Sequence, residues 1–461
     1  MGCRQKTIIM LMLTGLLLAA ACLYPVPNSI ELSRQNFQDK FYGFWLGQSI
    51  GNWTGLITEM DKIGNEKTLP FYTDEDWGSA DQKAFWGEYV PHADRIDFYF
   101  ERQGAPWGAD DDTDIEYMYL YLHHSTQASK LSAEQIRDGW LTHIYSETDA
   151  PLYQKFPDSE PQIENFLWVS NQRARELMVE GLLPPNTSEP SNNSFYSMID
   201  AQLTTEIFGL LAPGRPDVAL DVAYLPIRTT AKHDAQWISQ FYVVMHSLAA
   251  VVDRDLSLKQ QTQWLAEQAS NYLPNDSASA AVYQFVKNHY ESNPDKNNWE
   301  STRDAIYQRY QLGSEDGYSY SRPFDAVINF AASLVSLFYG EGDIVRTLQI
   351  GTLAGWDSDN PTATWGGLLG FMLGKERVEQ AFAQDNLSDT FWIHRTRRNF
   401  PDYLPNQKGE ITFQEMAKMG VEVADRVVVE RMGGSINKYK NHWLIPLSMP
   451  VSMPLPMEGG Y

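Results

Sequence analysis

Cysteine is nearly absent. Among 461 residues only Cys3 and Cys22 occur, which rules out a disulfide framework and a thiolate metal centre. Positive charge is also scarce. Thirty-six Lys and Arg face fifty-nine Asp and Glu, for a net charge of −23, so the chain lacks the basic surface that a nucleic-acid partner requires. The nine histidines form no H-E-x-x-H pattern, and no G-x-S-x-G elbow precedes a helix. There is no fixed-period repeat and no low-complexity tract. The single long apolar run, residues 7–21, is shorter than the roughly 20 residues of a membrane-spanning helix.

That run instead has the shape of an export leader. Arg4 and Lys6 precede it, and Leu18-Ala19-Ala20-Ala21 leads into Cys22, as at a bacterial lipoprotein cleavage site. The expectation is a signal peptide over 1–21, lipidation of Cys22, and a protein held in the cell envelope by that lipid alone. Residues 22–35, with Pro25, Pro27 and Asn28, read as a linker. A helical domain is expected over 36–400. A C-terminal extension over 401–461 reads as packed on the body or partly mobile. The basic run HRTRRN, residues 394–399, reads as a solvated or salt-bridged face.

What the chain has in plenty is apolar and aromatic residues, 43 % and 13 %, enough for a large core. Apolar residues recur with helical spacing and without sustained alternation. Helices are expected near 37–55, 113–123, 133–147, 162–180, 201–211, 235–252, 257–272, 324–338, 344–354, 361–373 and 413–430. Two of these have a glycine face. Gly43, Gly47, Gly51 and Gly55 recur every fourth residue, as do Gly366, Gly370 and Gly374. Each interior glycine costs a helix about 1 kcal/mol relative to alanine, and close backbone approach of neighbouring helices is the compensating reason.

Two acidic clusters carry chemistry. GADDDTDIEY, residues 108–117, puts Asp110, Asp111 and Asp112 side by side before a helix that Thr113 opens. One helix cap needs one aspartate, and adjacent carboxylates repel unless something positive lies between them. GWDSDNPTATWGG, residues 355–367, carries Asp357 and Asp359, with Asn360 and Pro361 read as N-cap and first helical residue. Two such helix starts brought together form an oxygen cage suited to Mg²⁺, Mn²⁺ or Ca²⁺. An EF-hand does not fit, because Ile115 and Tyr121 stand where its glycine and glutamate belong. Trp107 and Trp356 flank the clusters and are candidates to stack on a base or sugar. The polar stretches 167–175, 198–205 and 228–230 offer Asn171, Arg173, Asp200, Gln202 and Arg228 as substrate contacts or as buried residues satisfied by helix ends.

At these residues the chain resembles the ADP-ribosylglycohydrolase family, the type that includes the dinitrogenase-reductase-activating glycohydrolase. GFWLGQSIGNWTGLITE, residues 43–59, is similar to the family's opening helix and places Glu59 at its active-site glutamate. Residues 110–113 resemble its Thr-Asp-Asp-Thr turn, and residues 357–360 its late Asp-x-Asp-Thr turn. The resemblance implies an all-α orthogonal multi-helix bundle with two Mg²⁺ ions in a cleft. It also implies cleavage at the anomeric carbon of an ADP-ribosyl or related ribosyl or glycosyl substrate. Carried across, Asp110, Asp111, Asp112, Asp357, Asp359 and Asn360 are metal ligands, and Glu59, Asp111 and Asp112 act on substrate or water. The sequence departs from the pattern in having Asp110 and Asn360 for threonine, Asn52 for aspartate, and Thr230-Ala231 where a Thr-His pair is expected. The rival expectation is a surface lipoprotein that keeps the fold and binds metal and ligand without turnover.

Overall fold

The computed structural model describes residues 29–87, 93–108, 111–145, 167–392 and 410–446, and of Asp111, Asp112 and Glu410 the backbone only. The leader, Cys22, Asp110 and the HRTRRN run lie outside the described residues. Strand β1 (Ser29–Ser33) leads into α1 (Arg34–Gly55), followed by α2 (Asp111–Ser125), α3 (Ala133–His143), α4 (Val169–Val179), α5 (Ile207–Leu211), α6 (Pro216–Thr230), α7 (Asp234–Ala249), α8 (Leu258–Ser270), α9 (Ala278–Ser292) and α10 (Glu300–Ile306). Then come α11 (Ala326–Gly340), α12 (Ile344–Ala354), α13 (Asp359–Leu373), α14 (Lys375–Ala381), β2 (Thr390–Trp392), β3 (Glu410–Thr412), α15 (Phe413–Glu430), β4 (Ser435–Asn437) and β5 (His442–Pro446). The fold is all-α, with one three-stranded and one two-stranded small sheet among the described residues.

The centre is built from α1, α11 and α13. Every residue of α11 is buried, as its largely apolar composition on all sides requires of a helix with no solvent face. Helices α1 and α13 lie against each other along their glycine stripes, antiparallel. A Cβ added to Gly43 would strike the carbonyl oxygen of Gly370, one on Gly47 that of Gly366, and one on Gly51 that of Thr362; the clash is reciprocal at Gly366 and Gly370. Glycine is therefore the residue that lets the two backbones touch, and the stripes fix their register.

The first and last described segments pair with each other on the body. β1 pairs antiparallel with β5, Ser29 opposite Pro446 and Ser33 opposite His442. Arg34 makes a two-pronged ion pair with Asp425 of α15, at 2.8 and 2.5 Å, and Trp443 Nε1 donates to the same carboxylate at 2.7 Å. Residues 29–35, expected as linker, are thus a strand and the first turn of α1; the alternation of Ile30 and Leu32 in SIELS is the period of two that signals it. Helix α15 buries Phe413, Met416, Val423, Ala424 and Val427.

Several expected elements differ. Residues 201–206 are turns and only Ile207–Leu211 is helical, because Thr204 and Thr205 donate their hydroxyls to the carbonyls of Asp200 and Ala201, at 3.1 and 2.6 Å, which competes with regular helix. Helix α3 ends at His143 rather than 147, and α4 begins at Val169. Helices α6, α9, α10 and α14 are additions to the expected set. Proline obscures α6, which opens on Pro216 and carries Pro226 inside; α9 has a Ser277 cap whose Oγ accepts from Ala280 N at 3.1 Å.

Candidate metal and active site

The antiparallel register of the glycine stripes brings the end of α1 to the start of α13. At that meeting point Ser358 Oγ donates to Gly55 O at 2.9 Å, and Thr58 Oγ1 lies 2.9 Å from Ser358 Oγ and 2.5 Å from Thr352 O. The chain beyond α1 is then tied to the chain before α13: Met60 N donates to Trp356 O at 2.9 Å and Trp356 N to Lys62 O at 2.8 Å. Gly355 and Trp356 both have positive φ, 99° and 58°, a sharp reversal that costs a tryptophan on the order of 1 kcal/mol and turns Asp357 back toward Glu59.

The outcome is a three-carboxylate cluster. Ligand oxygens of Glu59, Asp357 and Asp359 all lie within 4.8 Å of one another, although about three hundred residues separate the first from the others. Asp357 and Asp359 are buried and Glu59 half-buried, so the cluster has one wall at solvent. Asn52 Nδ2 donates to Asp359 Oδ2 at 3.3 Å. On the far side Asn329 of α11 accepts from Asp357 N at 3.1 Å, while its amide donates to Pro323 O and Asp325 O at 2.8 and 3.0 Å. Sequence reasoning misses Asn329; nothing in its apolar helix marks it until the tertiary contact is made.

The donor set fits a hard cation. It is all oxygen and all carboxylate, without histidine or cysteine. With one oxygen from each of three carboxylates inside 4.8 Å, the cluster is close enough for a single cation to touch all three.

The other acidic turn approaches from the side. Trp53, next to Asn52, donates Nε1 to Gly108 O at 2.5 Å, and β2 straps the preceding residue through Trp107 N to Thr390 O and Trp392 N to Trp107 O, both 2.8 Å. Helix α2 thus starts at Asp111 from a chain held on the last turn of α1. Asn360 is not the cap of α13; the helix begins at Asp359 with Ser358 before it, so Asn360 and Pro361 fall inside its first turn, where proline's missing N–H costs no helical bond.

The aromatic and polar candidates are engaged elsewhere. Trp107 and Trp356 are fully buried; their ring nitrogens donate to Ser388 O at 2.9 Å and Gln311 Oε1 at 2.7 Å, so neither presents an open face. Asp200 accepts from Asn171 N at 2.9 Å, and burial pushes its carboxyl up to about 6. Arg173 binds Asn192 O and Glu176 at 3.1 and 2.9 Å. Arg228 binds Ser188 Oγ and Glu189 at 3.1 and 2.5 Å. Gln202 donates to Ala326 O at 3.3 Å, at the start of the helix that carries Asn329.

One turn of α1 before Asn52, Gln48 leads to a second carboxyl pair. Glu116, fully buried on α2, accepts from Gln48 Nε2 and from Ile207 N, both at 2.6 Å. Burial pushes it up to about 8. Glu206 is buried beside it and is raised well above the carboxylate range by burial and by Glu116, with the Thr364 hydroxyl pulling the other way. The signal of Glu116 in the sequence is an acidic residue four positions after Asp112, inside an apolar run.

A solved structure described as an ADP-ribosylglycohydrolase-related protein complex is 14% identical, with 85% of this chain and 99% of that chain covered and a TM-score of 0.44. No curated protein matches the chain. The family model for ADP-ribosylglycohydrolase matches residues 33–408, and that span encloses Glu59, both acidic turns and the two glycine helices: the chain belongs to the ADP-ribosylglycohydrolase family.

Proposed function

We propose that the protein is a divalent-metal-dependent glycohydrolase that cleaves a glycosidic bond at the anomeric carbon of an ADP-ribosyl or related ribosyl or glycosyl substrate. The observation that carries the reading is the convergence of Glu59, Asp357 and Asp359 within 4.8 Å, on a fold whose family acts at such bonds. Asp357 and Asp359 hold Mg²⁺, with Mn²⁺ or Ca²⁺ as alternatives, and Asp110, Asp111, Asp112 and Asn360 complete the ligand set for two ions. When bound, the ions neutralise the carboxylates and lower the pKa of a coordinated water. Asn52 and Asn329 hold the carboxylates in place through Asp359 Oδ2 and the Asp357 amide. Glu59, the half-buried member, faces the substrate side, where it orients a sugar hydroxyl and takes a proton from the attacking water. Export and lipidation at Cys22 belong to the same proposal; among the described residues no helix is long and apolar enough to cross a membrane.

The test is a turnover assay with purified protein and Mg²⁺ on ADP-ribosyl-arginine, ADP-ribosyl-serine and aryl glycosides. Release of ADP-ribose or free sugar, abolished in Asp357→Asn, is the expected result. Metal binding with no product from any of them would leave the non-catalytic rival standing in its place.

A further inference from the structure

At the end of the α1–α13 pair away from the carboxylates, a cavity of about 260 Å³ is lined by Lys40, Arg254 and Arg377, with Gln261 and the apolar Val252 and Met372 among its walls. Three cations on one small cavity are out of character for a chain of net charge −23. Several arginines elsewhere face carboxylates, as Arg34 does Asp425, Arg215 Asp217, Arg228 Glu189 and Arg346 Asp74. Among the described residues, Lys40, Arg254 and Arg377 form no ion pair. Lys40 is the anomaly, because it is only 6 % exposed. Its ammonium lies 5.2 Å from the centre of the Phe371 ring, which recovers part of the lost hydration, and the neighbouring Asp39 carboxylate attracts it only weakly. An ammonium on a largely buried residue with no ion pair is costly to keep charged, and the Arg254 and Arg377 guanidiniums add repulsion.

We propose that this cavity binds a phosphate-bearing anion, with the Lys40 ammonium at its floor and the Arg254 and Arg377 guanidiniums closing over the phosphate oxygens. Guanidinium forks suit phosphate geometry and a lysine supplies a point charge. The volume is below the usual range of drug-sized pockets, so the ligand is a small phosphate ester or a headgroup. The site is independent of the carboxylate cluster and of the reaction proposed there.

The proposal has a protonic signature. Burial, then Arg254 and Arg377, push the Lys40 amine down to about 7. Asp39, its neighbour on α1, opposes this weakly, being itself raised by burial and by Glu376 and lowered by Lys375 and Lys40; α13 contributes the uncharged Phe371 and Met372 and α8 Gln261. At pH 8 the empty site therefore holds a largely neutral amine, and an arriving phosphate restores its proton.

Inorganic phosphate is titrated calorimetrically into the purified protein in EDTA, which keeps the carboxylate cluster from binding phosphate through metal, at pH 8 in buffers of different ionisation enthalpy. A second arm measures co-flotation with phosphatidylglycerol and with phosphatidylcholine vesicles. Binding of free phosphate, or of the anionic vesicles in preference to the neutral ones, is expected to weaken roughly tenfold or more in Lys40→Met, since a charge-assisted contact is lost. The rim variant Arg254→Gln/Arg377→Gln is expected to weaken it likewise while leaving the buried floor intact as a folding control. Phosphate binding should take up close to one proton in the wild type. The first arm identifies a free phosphate ester as the ligand and the second a lipid headgroup. No binding in either arm, or binding that is equal in wild type and variants, overturns the proposal.

Discussion

Replacing Asp357 by asparagine should stabilise the metal-free protein and destabilise it, relative to wild type, once metal is present. Three carboxylates with oxygens inside 4.8 Å repel one another. At an effective dielectric of about 20, two unit charges that far apart cost about 3 kcal/mol, and closer ones more. The amide ends of α13 return up to about 1 kcal/mol, and solvent screens the half-buried Glu59 in part. Asp357→Asn removes a charge from two of the three pairs and keeps the backbone bond from its N–H to Asn329. In EDTA the variant should therefore melt above wild type, by an amount equivalent to about 1–3 kcal/mol, or about a few degrees. A cation bound only by the folded state adds about 2.7 kcal/mol at one hundred times its dissociation constant. Wild type should gain this with Mg²⁺ and the variant far less, so the two melting curves exchange order along the titration. Scanning calorimetry across a Mg²⁺ series reads both effects. If the variant melts below wild type in EDTA, or if Mg²⁺ raises both equally, the cluster is not a cation site and the reasoning fails.

Three further outcomes rest on the packing. Gly47→Ala puts a Cβ against the Gly366 carbonyl and 3.1 Å from Gly370 Cα; overpacking of about 1–3 kcal/mol exceeds the gain of about 1 kcal/mol in helix propensity, so chemical denaturation should show net destabilisation and metal affinity should fall with it. Asn329→Leu keeps the volume but leaves the Asp357 amide without its acceptor, which should cost about 1–3 kcal/mol of stability and weaken Mg²⁺ binding as read by calorimetry; unchanged affinity would make Asn329 a purely structural residue. Glu116, at about 8 in the folded protein, has a folded value above its unfolded one near 4.5. Its favourable contribution is present below that unfolded value and is lost as pH rises through about 8, so stability should decline from pH 5 to pH 9. Glu206→Gln removes a second buried carboxyl held well above its ordinary range by burial and by Glu116, and the decline measured by melting temperature should flatten.

The parts of the site that are legible in the sequence are those that violate local preference. Glycines every fourth residue weaken a helix and so ask for a closely packed partner, which can be inferred before it is seen. Gly43 and Gly47 do meet Gly370 and Gly366, and Glu59 does reach Asp357 and Asp359. Helices α12 and α15 are legible to the residue, because Asp343 and Thr412 cap them through their side chains, to Val345 N at 2.9 Å and Glu415 N at 3.1 Å. What stays hidden satisfies local rules and acquires meaning only through distant contacts. Asn329 is one polar residue in an apolar helix, and Lys40 one cation in an amphipathic-looking turn. Trp107 and Trp356 mislead for the converse reason: an aromatic beside an acidic turn looks like a platform, but both rings fill the core that holds the turns in place.

The glycine contact and the carboxylate cluster are two ends of one device. Side-chain-mediated helix packing leaves rotamers free to adjust, so the distance between two helices can drift by fractions of an ångström. Where backbone meets backbone, as between α1 and α13, no rotamer intervenes, and the separation is set by the van der Waals surface of the peptide groups. Such a contact costs about 1 kcal/mol in propensity at each interior glycine, a loss of stability that packing alone would not select, since alanine-lined helices associate well at slightly greater distance. The carboxylates just past the contact make it intelligible: four residues beyond Gly55 stands Glu59, and across the contact stands Asp359. Repelling carboxylates push their supports apart whenever no cation is bound, and a contact without slack keeps their oxygens within the reach of one ion.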